Sequence, residues 1–164
     1  MCWSYCGIGI ELLKGHLSCL DRTFVRCLGM SISFELQVQQ AVENPDLFRS
    51  AVKEGLDIVW FDRLAELFGA TAGEFAEVVG IDPRTLTRRR NDGKLTTRES
   101  SSLYHLVVLY VHALDVLGSP EAVRSWLQAS EPDFADMKPF ELLDTAPGIQ
   151  EVDQLLGRIE HGVF

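Results

Sequence analysis

Six basic side chains crowd into the stretch from Ile81 to Arg98: Arg84, Arg88, Arg89, Arg90, Lys94 and Arg98, against Asp82 and Asp92 alone. The stretch carries +4 in a chain of formal charge −9, so the other residues together hold −13. A concentrated positive patch on an acidic protein points to one anionic partner bound at one place. On a helix, Arg84 and Arg88 are four apart and share a face, with Thr85 and Thr87 on its flanks. Arginines there can fork onto guanine O6 and N7 in a major groove. Arg89, Arg90 and Lys94 lie off that axis and suit phosphate oxygens. The plain alternative is an arginine-rich helix end that complements the helix dipole in solvent.

Such a helix needs a frame, and the residues before it supply one. Glu74 to Arg90 reads EFAEVVGIDPRTLTRRR. In a helix-turn-helix two short helices cross closely, which asks for a small residue at the approach and a glycine in the turn. Ala76 and Gly80 stand at those places, and Ile81 and Leu86 can plug the space between the helices. Spacing, glycine and charge therefore agree on binding to double-stranded operator DNA.

Helical punctuation runs through the rest of the chain. Asn44-Pro45 opens a helix that Gly55 closes, and a second runs from Val59 to Phe68. Thr71 with Glu74, and Thr96 with Glu99, have the spacing of capping boxes. Asp82-Pro83 starts a helix to Arg90, followed by an Asn91-Asp92-Gly93 turn, and Ser119-Pro120 starts another to Gln128. Ala129 to Asp136 reads as a loop, with short helices from Pro139 to Leu143 and from Ile149 to Ile159 after it. The one competing signal is a short extended piece from Ile32 to Val38. The expected class is all-α. Leu103 to Gly118 is apolar nearly all the way round, so its helix should be buried on more than one side, with one face left for a second copy. A homodimer would also suit paired DNA half-sites. His105 and His112, seven apart, share a face and read as half-buried core histidines.

Composition narrows the classes. With 46% apolar and 24% charged residues the chain is neither disordered nor collagen-like. No uncharged run reaches the roughly 18 residues of a spanning helix, so no membrane role is expected. Cys2, Cys6, Cys19 and Cys27 all precede residue 28 and lack zinc-site spacing, which favours a reducing cytoplasm and no metal site. Residues 1–30 show no sustained period and read as a disordered or non-native extension, with the working protein starting at Met30. No phosphate loop, nucleophile elbow or paired-histidine metal motif is present, so no enzyme activity, catalytic residue or cofactor is expected. A boundary at Gly118-Ser119 divides residues 31–118 from 119–164, which carry nine acidic and three basic residues.

The C-terminal part holds Ser125–Gln128 (SWLQ), Pro139-Phe140, Glu141–Thr145 (ELLDT), Gly148 and Leu155–Phe164 (LLGRIEHGVF), in that order. This resembles the toxin-binding domain of the Xre/MbcA/ParS antitoxins, in which a helix-turn-helix precedes the domain as it does here. The resemblance covers about residues 31–164 and rests chiefly on the ending L-L-x-R-I-E-H-G. It implies an antitoxin that represses its own operon and blocks a cognate toxin, commonly a RES-domain enzyme that degrades NAD. Residues implied in toxin binding are Trp126, Leu142, Arg158, Glu160, His161, Gly162, Val163 and Phe164. Two other readings stay open here: a stand-alone helix-turn-helix regulator with a C-terminal sensing domain, and a small metal or thiol sensor using the N-terminal cysteines.

Overall fold

The computed structural model describes residues 34–162. Eight α-helices follow one another there: α1 (Phe34–Glu43), α2 (Pro45–Glu54), α3 (Ile58–Phe68), α4 (Ala72–Val79), α5 (Pro83–Asp92), α6 (Thr97–Leu117), α7 (Pro120–Gln128) and α8 (Ala146–His161). Between α7 and α8 lie two 3-10 turns, Pro132–Phe134 and Pro139–Asp144. The described residues form no strand, and one isolated bridge pairs Asp57 with Lys94. The all-α expectation holds. The extension at 1–30 with its four cysteines lies outside the described residues, as do Val163 and Phe164.

The caps form where the sequence placed them, with one exception. Thr71 Oγ1 accepts from the Glu74 N–H while Glu74 accepts from the Thr71 N–H at 2.8 Å. Thr96 and Glu99 repeat the exchange. Asp82 accepts from the Thr85 N–H and Ser119 from that of Ala122. Asn44 makes no such bond, and Pro45 alone marks that start.

Three local expectations need correction. The segment from Phe34 is helix, not strand: Phe34, Val38, Ala41 and Val42 recur at helical spacing and turn toward the core, a period that shows only beyond Val38. Helix α5 runs on through Asn91 and Asp92, and the turn is Gly93 alone at φ 75°. Helix α8 starts at Ala146 rather than Ile149, because Ala146-Pro147-Gly148 form its first turn under a cap from Thr145.

The long helix α6 is the centre of the core. Leu103, Leu106, Val107, Tyr110 and Ala113 are all buried, and α1, α2, α4, α7 and α8 each pack on it. By length and mean hydropathy α6 could cross a membrane. Its uncharged run extends only between Glu99 and Asp115, and it is here the core helix of a bundle. The core continues across Gly118 without a break. Phe68 at the end of α3 meets Phe75 at 5.6 Å, Tyr110 at 5.8 Å and Phe140 at 6.5 Å, while Gln128 donates to the Phe68 carbonyl.

Close approach of backbone requires glycine at Gly55, against the Leu95 carbonyl, and at Gly148. A Cβ at Gly148 would lie 1.9 Å from the Leu142 carbonyl oxygen, so only glycine lets the first turn of α8 rest on the 3-10 turn before it. Backbone cannot yield as a side-chain tip can, and overpacking of this kind costs about 1–3 kcal/mol. Gly148→Ala is therefore expected to lower the thermal unfolding midpoint by several degrees, measured by circular dichroism.

Candidate nucleic-acid interface and C-terminal face

Helix α5 is held in place by the turn before it. Gly80 takes φ 77°, and the Ile81 N–H reaches back to the Ala76 carbonyl at 2.8 Å. Ala76, Ile81 and Leu86 are buried, which pins one side of α5 and leaves the other to solvent. Arg84 and Arg88 stand exposed on the free side, and neither meets an acidic partner among the described residues. Thr85 is half-buried and its hydroxyl donates to Asp82, while the exposed Thr87 donates to the Pro83 carbonyl. Hydrogen bonds from the Thr85 hydroxyl, then its N–H, hold the Asp82 carboxyl below its usual range. Lys94 is exposed and fixed at its backbone, because its neighbours Gly93 and Leu95 bond to Ile58 and Leu56.

The other two arginines are engaged within the protein. Arg89 Nε donates to both Glu99 oxygens, at 2.9 and 3.1 Å, and these side chains are 15% and 13% exposed. Arg90 donates to Asp62 on α3 at 2.7 Å. Both lie within about 60° of Leu86 around α5, so helical position itself carried a sign that they would meet neighbouring helices. Glu99 is read from sequence as a cap alone, yet it both caps α6 and holds Arg89. Burial pushes its carboxyl up, but hydrogen bonds from Arg89 and Thr96 outweigh this and leave it below its ordinary range. Ser100, the next residue, is fully buried and accepts from the Leu56 N–H at 2.9 Å. Nothing in the local pattern marks it.

On the C-terminal side, Trp126 and Leu142 are half-buried against the core. Arg158 and His161 are exposed and line a cleft of about 570 Å³ with Asp133, Phe134, Glu151, Gln154 and Gly157. Trp126 and Leu142 do not line it. Arg158 donates to Asp133 at 3.1 Å, and Gly162 ends α8 at φ 64°. Glu160 turns instead toward His112, whose Nε2 is 3.7 Å from it and whose Nδ1 is 2.7 Å from Asp153. His112 is thus half-buried as expected, whereas His105 is exposed among the described residues. No cluster of metal-ligating side chains occurs among the described residues.

The depressed Glu99 carboxyl makes a pH prediction. Its contribution to stability is present above the ordinary value of 4.5 and is lost as pH falls through the lower folded value. Glu99→Gln should be less stable than the parent at pH 7, and the gap should close as pH falls from 7 to below the ordinary value of 4.5. Paired thermal melts across that range measure it; a gap independent of pH contradicts the assignment.

Comparison with known proteins completes the picture. Residues 48–108 match the family described as the antitoxin Xre-like helix-turn-helix domain. Residues 112–162 match the antitoxin Xre/MbcA/ParS C-terminal toxin-binding domain. The chain is 32% identical to Antitoxin Xre of Yersinia enterocolitica over 70% of its own length and 78% of that protein's. It is 30% identical to Antitoxin Xre of Photorhabdus laumondii over 68% of its length and 77% of that protein's. A chain from the crystal structure of the M. tuberculosis MbcT–MbcA toxin–antitoxin complex has 21% identity, with a TM-score of 0.48 over 64% of this chain and 94% of that one. That last likeness adds nothing to the assignment. With both domains matched in order and two relatives at this level of identity, the chain belongs to the Xre antitoxin family of toxin–antitoxin systems.

Proposed function

We propose that this antitoxin neutralises a cognate toxin of the RES, NAD-degrading class and represses its own operon as a cytoplasmic homodimer. In this reading residues 31–118 bind DNA and dimerise, and residues 119–164 bind the toxin. The observation that carries the DNA half is the exposed pair Arg84 and Arg88 on the free side of α5, with their neighbours Arg89 and Arg90 tied down by Glu99 and Asp62. Two unpaired guanidiniums one turn apart suit base edges, and Lys94 beside them suits a phosphate. Thr85 and Thr87, whose hydroxyl protons go to Asp82 and the Pro83 carbonyl, retain lone pairs that can accept from an amino group on a base edge. A second copy fits against α6, where Val108 is 37% exposed and His105, one turn away, is exposed too.

The toxin half rests on the matched domain and on the exposed end of α8. Arg158, His161 and Gly162 stand at that end, before Val163 and Phe164. Polar groups followed by an apolar tip can enter a nucleotide site.

Two experiments test the proposal. Arg88→Ala should weaken operator binding by roughly 1–3 kcal/mol and relax sequence preference. Lys94→Ala should weaken binding to all sequences alike and flatten the salt dependence. Gel shifts against operator and scrambled DNA at several salt concentrations separate the two. Deleting residues 162–164, which leaves the last turn of α8 in place, should abolish rescue of growth on induction of the toxin encoded beside this chain. The same truncated protein should still shift the operator. Rescue by it moves neutralisation to the body of the domain, around Trp126 and Leu142.

A further inference from the structure

Gly157 lies well inside α8, where glycine is the poorest residue after proline for keeping a helix. The other described glycines have a reason within the chain, apart from Gly73 in the first turn of α4, where a helix tolerates glycine best: Gly55, Gly69, Gly80, Gly93, Gly118 and Gly162 take positive φ, and Gly148 rests on a carbonyl. Gly157 has neither. It is absent from the positive-φ glycines, and a Cβ built on it would meet nothing within 4 Å. The fold therefore bears the cost of a helix-weakening residue without using its absent side chain.

The place is not arbitrary. Gly157 lines the cleft of about 570 Å³ between α8 and the 3-10 turn Pro132–Phe134. One side of α8 is spent inside the protein through Val152, Leu155 and Leu156. The cleft side carries Glu151, Gln154 and His161, with the Arg158–Asp133 pair across it. All of these residues fall within the matched toxin-binding domain.

We infer that Gly157 is the point where the cognate toxin's chain comes in against the backbone of α8. This rests on the toxin reading above and deepens it. A toxin segment seated in the cleft lies over Phe134 and finds both signs of charge at the walls, so it should be a polar stretch of mixed charge. It approaches the helix more closely at residue 157 than any side chain there would permit. Gly157 is thus a determinant of fit to the partner, kept at the expense of helix stability.

Opposite signs for folding and binding are the test. Full-length Gly157→Ala and Gly157→Leu proteins are compared with the parent by thermal melting, by operator gel shift and by calorimetric titration with the purified toxin encoded beside this chain. Gly157→Ala should raise the melting midpoint by a few degrees and leave the operator shift unchanged. It should weaken toxin binding by about tenfold, and Gly157→Leu by more. Toxin affinity equal to the parent's in both variants overturns the inference. So does a lowered midpoint for Gly157→Ala, which would give the glycine a use within the fold. If the parent chain itself fails to bind the toxin, the proposed function falls and takes this inference with it. That outcome is told apart by the parent titration alone.

Discussion

Helix α6 buries side chains toward several neighbours at once, and the arrangement of the other helices depends on that burial. Leu103, Val107 and Ala113 have no exposed surface, and Leu106 and Tyr110 have almost none. Burying one such large apolar side chain is worth about 1.5–3 kcal/mol, far more than any surface ion pair. Because α1, α2 and α4 share this helix with α7 and α8, the helix-turn-helix and the C-terminal part draw on one core. Phe68 makes the continuity concrete, touching rings from α4, from α6 and from the 3-10 turn at Phe140.

Electrostatics then sorts side chains that composition treats alike. The arginines of α5 divide by angle around the helix: those near Leu86 reach acids on α3 and α6, and those opposite reach nothing acidic among the described residues. Glu99 has two duties, capping α6 and gripping Arg89, so the start of the core helix and the pose of α5 are set by one carboxylate. The charge of the basic stretch, taken as a sum, overstates what α5 has free for an anion.

The two ends of α6 are tied in chemically similar ways. Near its start Glu99 holds Arg89 of α5, and further along His112 sits between Asp153 and Glu160 of α8. These contacts orient partners that apolar packing alone would leave free to slide, since hydrophobic attraction has no direction.

Much of this architecture was legible in the sequence alone. Capping boxes at Thr71 and Thr96, the Gly80 turn, Ala76 at the crossing and the apolar run of α6 are local signals, and each acts over three to seven neighbouring residues. The family ending around Arg158 to Gly162 was equally plain. What only the tertiary structure decided involves partners far apart in sequence. Asp62 with Arg90, Ser100 with Leu56 and Asp133 with Arg158 are pairs that no local period marks. The strand signal at Ile32 to Val38 gave way, over the residues described, for the same reason. The choice of helix rests on burial of Val38 and Ala41 in the core around α6, not on the propensity of the segment itself. Gly148 and Gly157 show the division most sharply: the same residue type in the same helix, required at one position by a carbonyl from another turn and at the other by nothing inside the described fold.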